Sequence, residues 1–230
     1  MPYKKINIEP LLALLQSESD IEHPLLEPFN NISPHFEEAN MRLLTGCLKA
    51  AREDINAYIR FFNPQNTFYT HPGLWIRQRT REEASRLSKL PSCLFIPVNF
   101  KRQVLAFERA KRRLAPSAPT LPRALSDFTM DFWGGAVKSA MELPLRTRAF
   151  YHLSPKVFSW LLSLSAAEVK TFSCMDGWVF NLTLRPDLVT INFQNGPLPE
   201  LKALLIHESA QQRIKFPEEL ITANIKEGEK

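Results

Sequence analysis

A shift of 85 residues lays this chain on itself. Trp75 falls on Trp160, Thr80 on Ser165, Glu83 on Glu168, Leu87 on Phe172, Ser88 on Ser173 and Phe95 on Phe180. Over residues 75–95 the shift yields four identities, where ordinary composition gives about one. Thr80 with Glu83 and Ser165 with Glu168 are both S/T-x-x-E patterns. In such a capping box the hydroxyl and the carboxylate reciprocally satisfy backbone N–H groups that open a helix. The chain is therefore predicted to build the same helix opening twice, which points to a tandem of related units, the alternative being two unrelated short capped helices of the kind any helical protein carries.

Each unit reads as two short helices around a tight turn, followed by an extended arm. The first helix starts after Pro72 or Pro155 and presents Trp75 or Trp160. The second runs over Arg81–Leu90 or Ala166–Met175 until Pro91 or Gly177 stops it. An extended segment follows, Ser92–Phe100 or Trp178–Leu184, and then another helix from Lys101 or Asp187. Upstream, apolar periodicity predicts one long helix over Phe36–Phe61, capped by Ser33 with Pro34 in its first turn. A leucine-rich helix is expected around Glu9–Gln16. Pro116, Pro119 and Pro122 recur every third residue in 115–127, a spacing that favours an extended linker. The expected organisation is an N-terminal helix and proline-rich connector (1–35), a long helix with the first unit (36–114), the linker (115–127), the second unit (128–196) and a C-terminal helix with a charged tail (197–230). The fold class is mainly α, with tandem helix-turn-helix-like repeats.

Composition argues against several kinds of chemistry. Seven scattered glycines assemble neither a dinucleotide fingerprint nor a phosphate loop. The five histidines each stand alone, with no second ligand at zinc spacing. Carboxylate doublets such as Glu82 and Glu83 are adjacent, and neighbours on a helix diverge by about 100°. Neither catalytic residues nor a cofactor or metal is expected. Cys47, Cys93 and Cys174 are odd in number and far apart, which fits a reducing, cytoplasmic setting. The polar N-terminus reads as no signal peptide, and no apolar run nears the roughly 20 residues that span a bilayer.

Charge is unevenly placed. From Ile76 to Arg113 there are eleven cations and three anions, a sum of +8, against +5 for the whole chain. The remainder is therefore −3. At positions equivalent to Arg79, Arg81 and Arg86 the second unit has Leu164, Ala166 and Thr171. Clustered cations on a helical surface are suited to phosphate, because each one placed there releases a counterion. The residues expected to meet double-stranded DNA are Arg77, Arg79, Arg81, Arg86, Lys101, Arg102, Arg109, Lys111, Arg112 and Arg113. The last six lie on a helix over Lys101–Leu114, whose Val104, Leu105, Phe107, Ala110 and Leu114 are expected to face a core. The less basic second unit is expected to meet a protein. A non-catalytic adaptor or secretion-system accessory protein, docking its basic face on an acidic partner, is the alternative.

The stretch from His152 to Ser173 followed by Trp178 to Leu182 resembles FlhD-like transcriptional regulators, the flagellar activator FlhD and small regulators of integrative conjugative elements. Arg79 to Ser88 with Leu94 and Phe95 resembles the same unit. The resemblance implies a mostly helical bacterial regulator that works with a second DNA-binding subunit and recruits transcription machinery. This chain is about twice the family's length and carries two copies. A tandem copy would replace a dimer of separate chains by an intramolecular pseudo-dimer, since linkage raises effective concentration to roughly millimolar. A homo-oligomer is the other possibility.

Overall fold

The computed structural model describes residues 33–62, 72–90, 92–113, 121–183 and 214. Their order is α1 (Pro34–Glu53), α2 (Ile55–Phe61), α3 (Pro72–Arg77), α4 (Arg81–Ser88), β1 (Phe95–Pro97), α5 (Phe100–Arg113), α6 (Arg123–Glu142), α7 (Pro144–Phe150), α8 (Pro155–Ser163), α9 (Ala166–Ser173) and β2 (Phe180–Leu182). The fold is mainly α, as the periodicity predicts. Both capping boxes form: Thr80 Oγ1 accepts from Glu83 N and Glu83 Oε2 from Thr80 N, and Ser165 and Glu168 do the same.

The repeat is longer than the one read from the sequence. Helices α1 and α6 are both 20 residues, α2 and α7 both seven, and one residue separates the members of each pair. These match at a shift of 89, not 85. Met41, Gly46, Lys49, Ala51, Glu53 and Phe61 recur as Met130, Gly135, Lys138, Ala140, Glu142 and Phe150. All seven buried positions of α1, namely Phe36, Asn40, Leu43, Leu44, Cys47, Ala50 and Ala51, are buried again in α6. Among the described residues each unit is thus four helices and a strand, with α5 following the first.

The two units pair about a local two-fold axis. Strands β1 and β2 are antiparallel, with Phe95 opposite Leu182, Ile96 opposite Asn181 and Pro97 opposite Phe180. Ile96 and Asn181 are equivalent positions under the 85-residue shift, so the axis passes between them. The flanking bonds obey it too. Val98 N donates to Val179 O and Thr183 N to Leu94 O, both at 3.0 Å, and each bond maps onto the other under the shift. At the other layer α1 and α6 pack antiparallel. Lys49 pairs with Asp127 at 3.1 Å, and the equivalent Lys138 acts on Glu38 from the opposite side of the axis.

Part of the core lies between the units. Phe36 stacks on Phe150 at 4.5 Å and Phe61 on Phe180 at 5.1 Å. Phe128 meets Phe61, Phe95 and Phe180 edge-on. Each buried aromatic contributes about 1.5–3 kcal/mol, and such ring pairs about 0.5–1.5 kcal/mol more. The tail also contributes: Ile214 is buried, its N donates to His152 O and its O accepts from Ser154 N.

Four expectations need correction. The long helix breaks at Asp54, whose carboxylate accepts from Asn56 N and Ala57 N and so caps a second helix. Ser33 caps α1 through its backbone carbonyl rather than its hydroxyl. The stretch 115–127 is not all linker, since Leu121 is buried, donates its N–H to Cys174 O, and is followed by α6 from Arg123. Pro122 therefore precedes a helix, which its fixed φ suits. Ala110 is exposed, because the buried face of α5 is Phe100, Gln103, Val104 and Phe107. The expected helices at Glu9–Gln16, from Asp187 and at the C-terminus lie outside the described residues.

Asn40 holds the first unit's turn. Fully buried, its Nδ2 donates to Ser88 O, Leu90 O and Ser92 O, and its Oδ1 accepts from Leu94 N. The equivalent Thr129 makes only the first of these bonds, Oγ1 to Ser173 O at 2.7 Å. Asn40→Ala leaves several buried backbone groups unmatched and is expected to cost about 2–3 kcal/mol, against about 0.5–1.5 kcal/mol for Thr129→Val. Urea unfolding of the two variants measures the difference, and equal losses would contradict this account of Asn40.

Candidate nucleic-acid interface

The solvent face of α4 carries Arg81, Glu82, Arg86 and Lys89, with Ser85 half-buried among them. Ala84 and Leu87 point inward. Arg81, Ser85 and Lys89 are spaced i, i+4, i+8, so they form one row. Arg77 is exposed at the end of α3. Among the described residues no carboxylate pairs with Arg77, Arg81 or Lys89, whereas Arg86 is bridged to Glu82 at 2.7 Å. Lys89 is the one cation of Ile76–Arg113 that the ten expected residues leave out. Its signal was the same row, ending at the helix C-cap where a cation is favoured.

Arg79 does something else. Its side chain is only 11% exposed, bridges to Glu83 at 3.2 Å, donates Nε–H to Trp75 O and lies 4.6 Å over the Trp75 ring. It is a strut between the two short helices. The second unit has Leu164 at that place, and its Trp160 is covered differently, by α5.

Helix α5 belongs to the first unit in sequence and to the second in space. Phe107 packs on Trp160 and Phe172, and Phe100 on Trp133, Trp160 and Phe172. Polar ties fix the docking: Trp160 Nε1 donates to Glu108, Gln103 Nε2 to Asp176 O, and Lys111 bridges Glu168 at 2.6 Å. Asn99, just before α5, donates to Gly177 O and accepts from Val179 N. Lys111 also lies 5.5 Å over the Phe107 ring. Lys101, Arg102 and Arg109 are exposed on the outer side. Arg112 and Arg113 occupy the last two positions of α5, and their side chains lie outside the described part of the structure.

The ten expected residues are therefore not one surface. Arg77, Arg81 and Arg86 sit on the first unit's helix pair. Lys101, Arg102 and Arg109 ride on the second unit. Arg79 and Lys111 are engaged in packing. The positive charge that is local in sequence is shared between the halves in space, which corrects the expectation of one basic copy and one neutral copy.

Among the described residues no group of His, Cys, Asp and Glu comes together to hold a metal ion, and no helix is long and apolar enough to cross a membrane. No family model, curated protein or solved structure matches the chain.

Glu168 reports on the α5 contact. The hydrogen bond from Lys111, then those from Ser165, pull its carboxyl from an ordinary 4.5 to about 2. A lowered carboxyl pKa stabilises the fold above about pH 4.5, and that contribution fades as pH falls towards 2. Lys111→Met is expected to raise the Glu168 pKa towards its ordinary value and to flatten the acid limb of stability between pH 5 and pH 2. Carboxyl 13C titration reads the first effect and pH-dependent melting the second. A Glu168 pKa unmoved by the substitution would show that the bridge does not hold α5.

Proposed function

We propose that this protein is a DNA-binding transcriptional regulator that acts as an intramolecular pseudo-dimer, with a protein partner. The observation that carries the reading is the open cationic row on a capped helix pair: Arg77, Arg81 and Lys89 are exposed without a carboxylate partner among the described residues. Cations already bridged to protein must break those bridges to meet phosphate, so these three, together with Arg102 and Arg109 on α5, are ready to release counterions. The resemblance of both units to FlhD-like regulators, a bacterial or mobile-element setting included, points the same way. Phosphate contacts position a protein on duplex DNA, and base contacts would come from the same short helices.

A salt titration of duplex binding tests the reading. Five exposed cations, Arg77, Arg81, Lys89, Arg102 and Arg109, predict a log–log slope of about −4 to −5 at roughly 0.9 per phosphate. Arg81→Ala should reduce that slope by about one at unchanged stability. Arg79→Ala should instead lower the melting temperature and leave the slope of the folded protein near its original value. Binding that ignores salt, or none, would favour the acidic-partner adaptor.

A further inference from the structure

The two units share a backbone plan but not a surface. Under the two-fold, Arg77, Arg81, Arg86 and Lys89 of the first unit become Leu162, Ala166, Thr171 and Cys174 of the second. Leu162 is half-buried, and Ala166 and Thr171 are exposed. On the matching face of α9 only Lys170 is a cation. A symmetric dimer of such units would repeat one reading surface on both sides of its axis. This molecule cannot.

From that asymmetry and the docking of α5 we infer that α5 is an exchanged arm that gives the second unit a cationic row in place of the one missing from the matching face of α8 and α9, so one chain grips duplex DNA through two different surfaces. The inference rests on the DNA-binding reading. The arm is fixed to its host by aromatic packing and by the Trp160–Glu108, Gln103–Asp176 and Lys111–Glu168 contacts. A fixed arm does not pay the ordering entropy of a loose basic tail when it binds.

Arg102, Ala106 and Arg109 follow i, i+4, i+7 and are all exposed, so they make one row, with a small residue between two guanidinium groups. Arg102 and Arg109 are about 10.5 Å apart along the axis, and Arg81 on α4 and Lys89 at its C-cap about 12 Å. Either span is close to the roughly 12 Å width of the major groove, so each row can reach phosphates on facing strands. Two unlike rows predict a non-palindromic site filled by one chain, not an inverted repeat filled by two.

The experiment uses the full chain and a mixed-sequence duplex of about 30 base pairs, followed by fluorescence anisotropy against salt and by stoichiometric titration. Arg77→Ala/Arg81→Ala/Lys89→Ala removes the first surface and Arg102→Ala/Arg109→Ala the second. All five side chains are exposed and unpaired among the described residues, and melting curves check that both variants fold. The expected result is saturation at one chain per duplex, with slopes flattened by about 2.7 and about 1.8, at roughly 0.9 per contact. The combined variant should lose their sum. If the first variant flattens the slope and the second does not, DNA binding stands and the exchanged arm has no part in it. Flattening by the second alone, or saturation at two chains per duplex, also overturns the two-surface grip. A wild-type chain with no salt-dependent binding fails the DNA-binding reading itself.

Discussion

Neither unit can close its own core. Phe61 finds its stacking partner in Phe180, Phe36 in Phe150, and Phe128 reaches back to Phe61 and Phe95. These rings are all buried at 5% exposure or less, and splitting the units would put several of them in water at about 1.5–3 kcal/mol each. Pairing also satisfies the strands: each offers backbone groups that only the other meets, through the register centred on Ile96 and Asn181. The positions of α5, of the basic rows and of the Asn40 network follow from this mutual burial.

A two-fold built from two linked copies is free to become asymmetric where a dimer of identical chains is not. Arg42 and Asp131 are equivalent under the 89-residue shift, and burial pushes the Asp131 carboxyl up against the opposing pull of Arg42, with Asp127 adding to the rise. In an identical-chain dimer the same position would set like charges against each other. Asn40 and Thr129 diverge similarly, one bonding four backbone groups and the other only Ser173 O across its turn. Opposite charge across the axis favours pairing of unlike units over like ones. The loss of cations from α9, and the cover that α5 gives to Trp160, belong to the same divergence.

The part of the fold that could be read from residues alone is the part with local chemistry. Capping boxes are reciprocal bonds within four residues, so Thr80–Glu83 and Ser165–Glu168 announced their helices, and Phe95 and Phe180 announced the strands. The long helices escaped as a repeat because their spacing is 89 and not 85: ten residues separate α2 from α3 and only four separate α7 from α8, and a single shift cannot hold both parts in register. Asp54 hid a break because its capping bonds interrupt the helix without interrupting the apolar stripe. Pro122 looked like linker because the same φ serves an extended chain and a helix start. The site was legible as charge but not as surface. Nothing in the sequence says that Arg79 folds onto Trp75, that Lys111 pairs with Glu168, or that α5 docks on the other unit, since these are contacts between residues chosen by tertiary packing.

The architecture requires that the two units pair with each other within one polypeptide. Light scattering coupled to size exclusion, at low micromolar concentration, measures this most directly. A single species near 26.5 kDa is the predicted result. A stable particle of twice that mass or more would mean that the units pair between chains, and would contradict it.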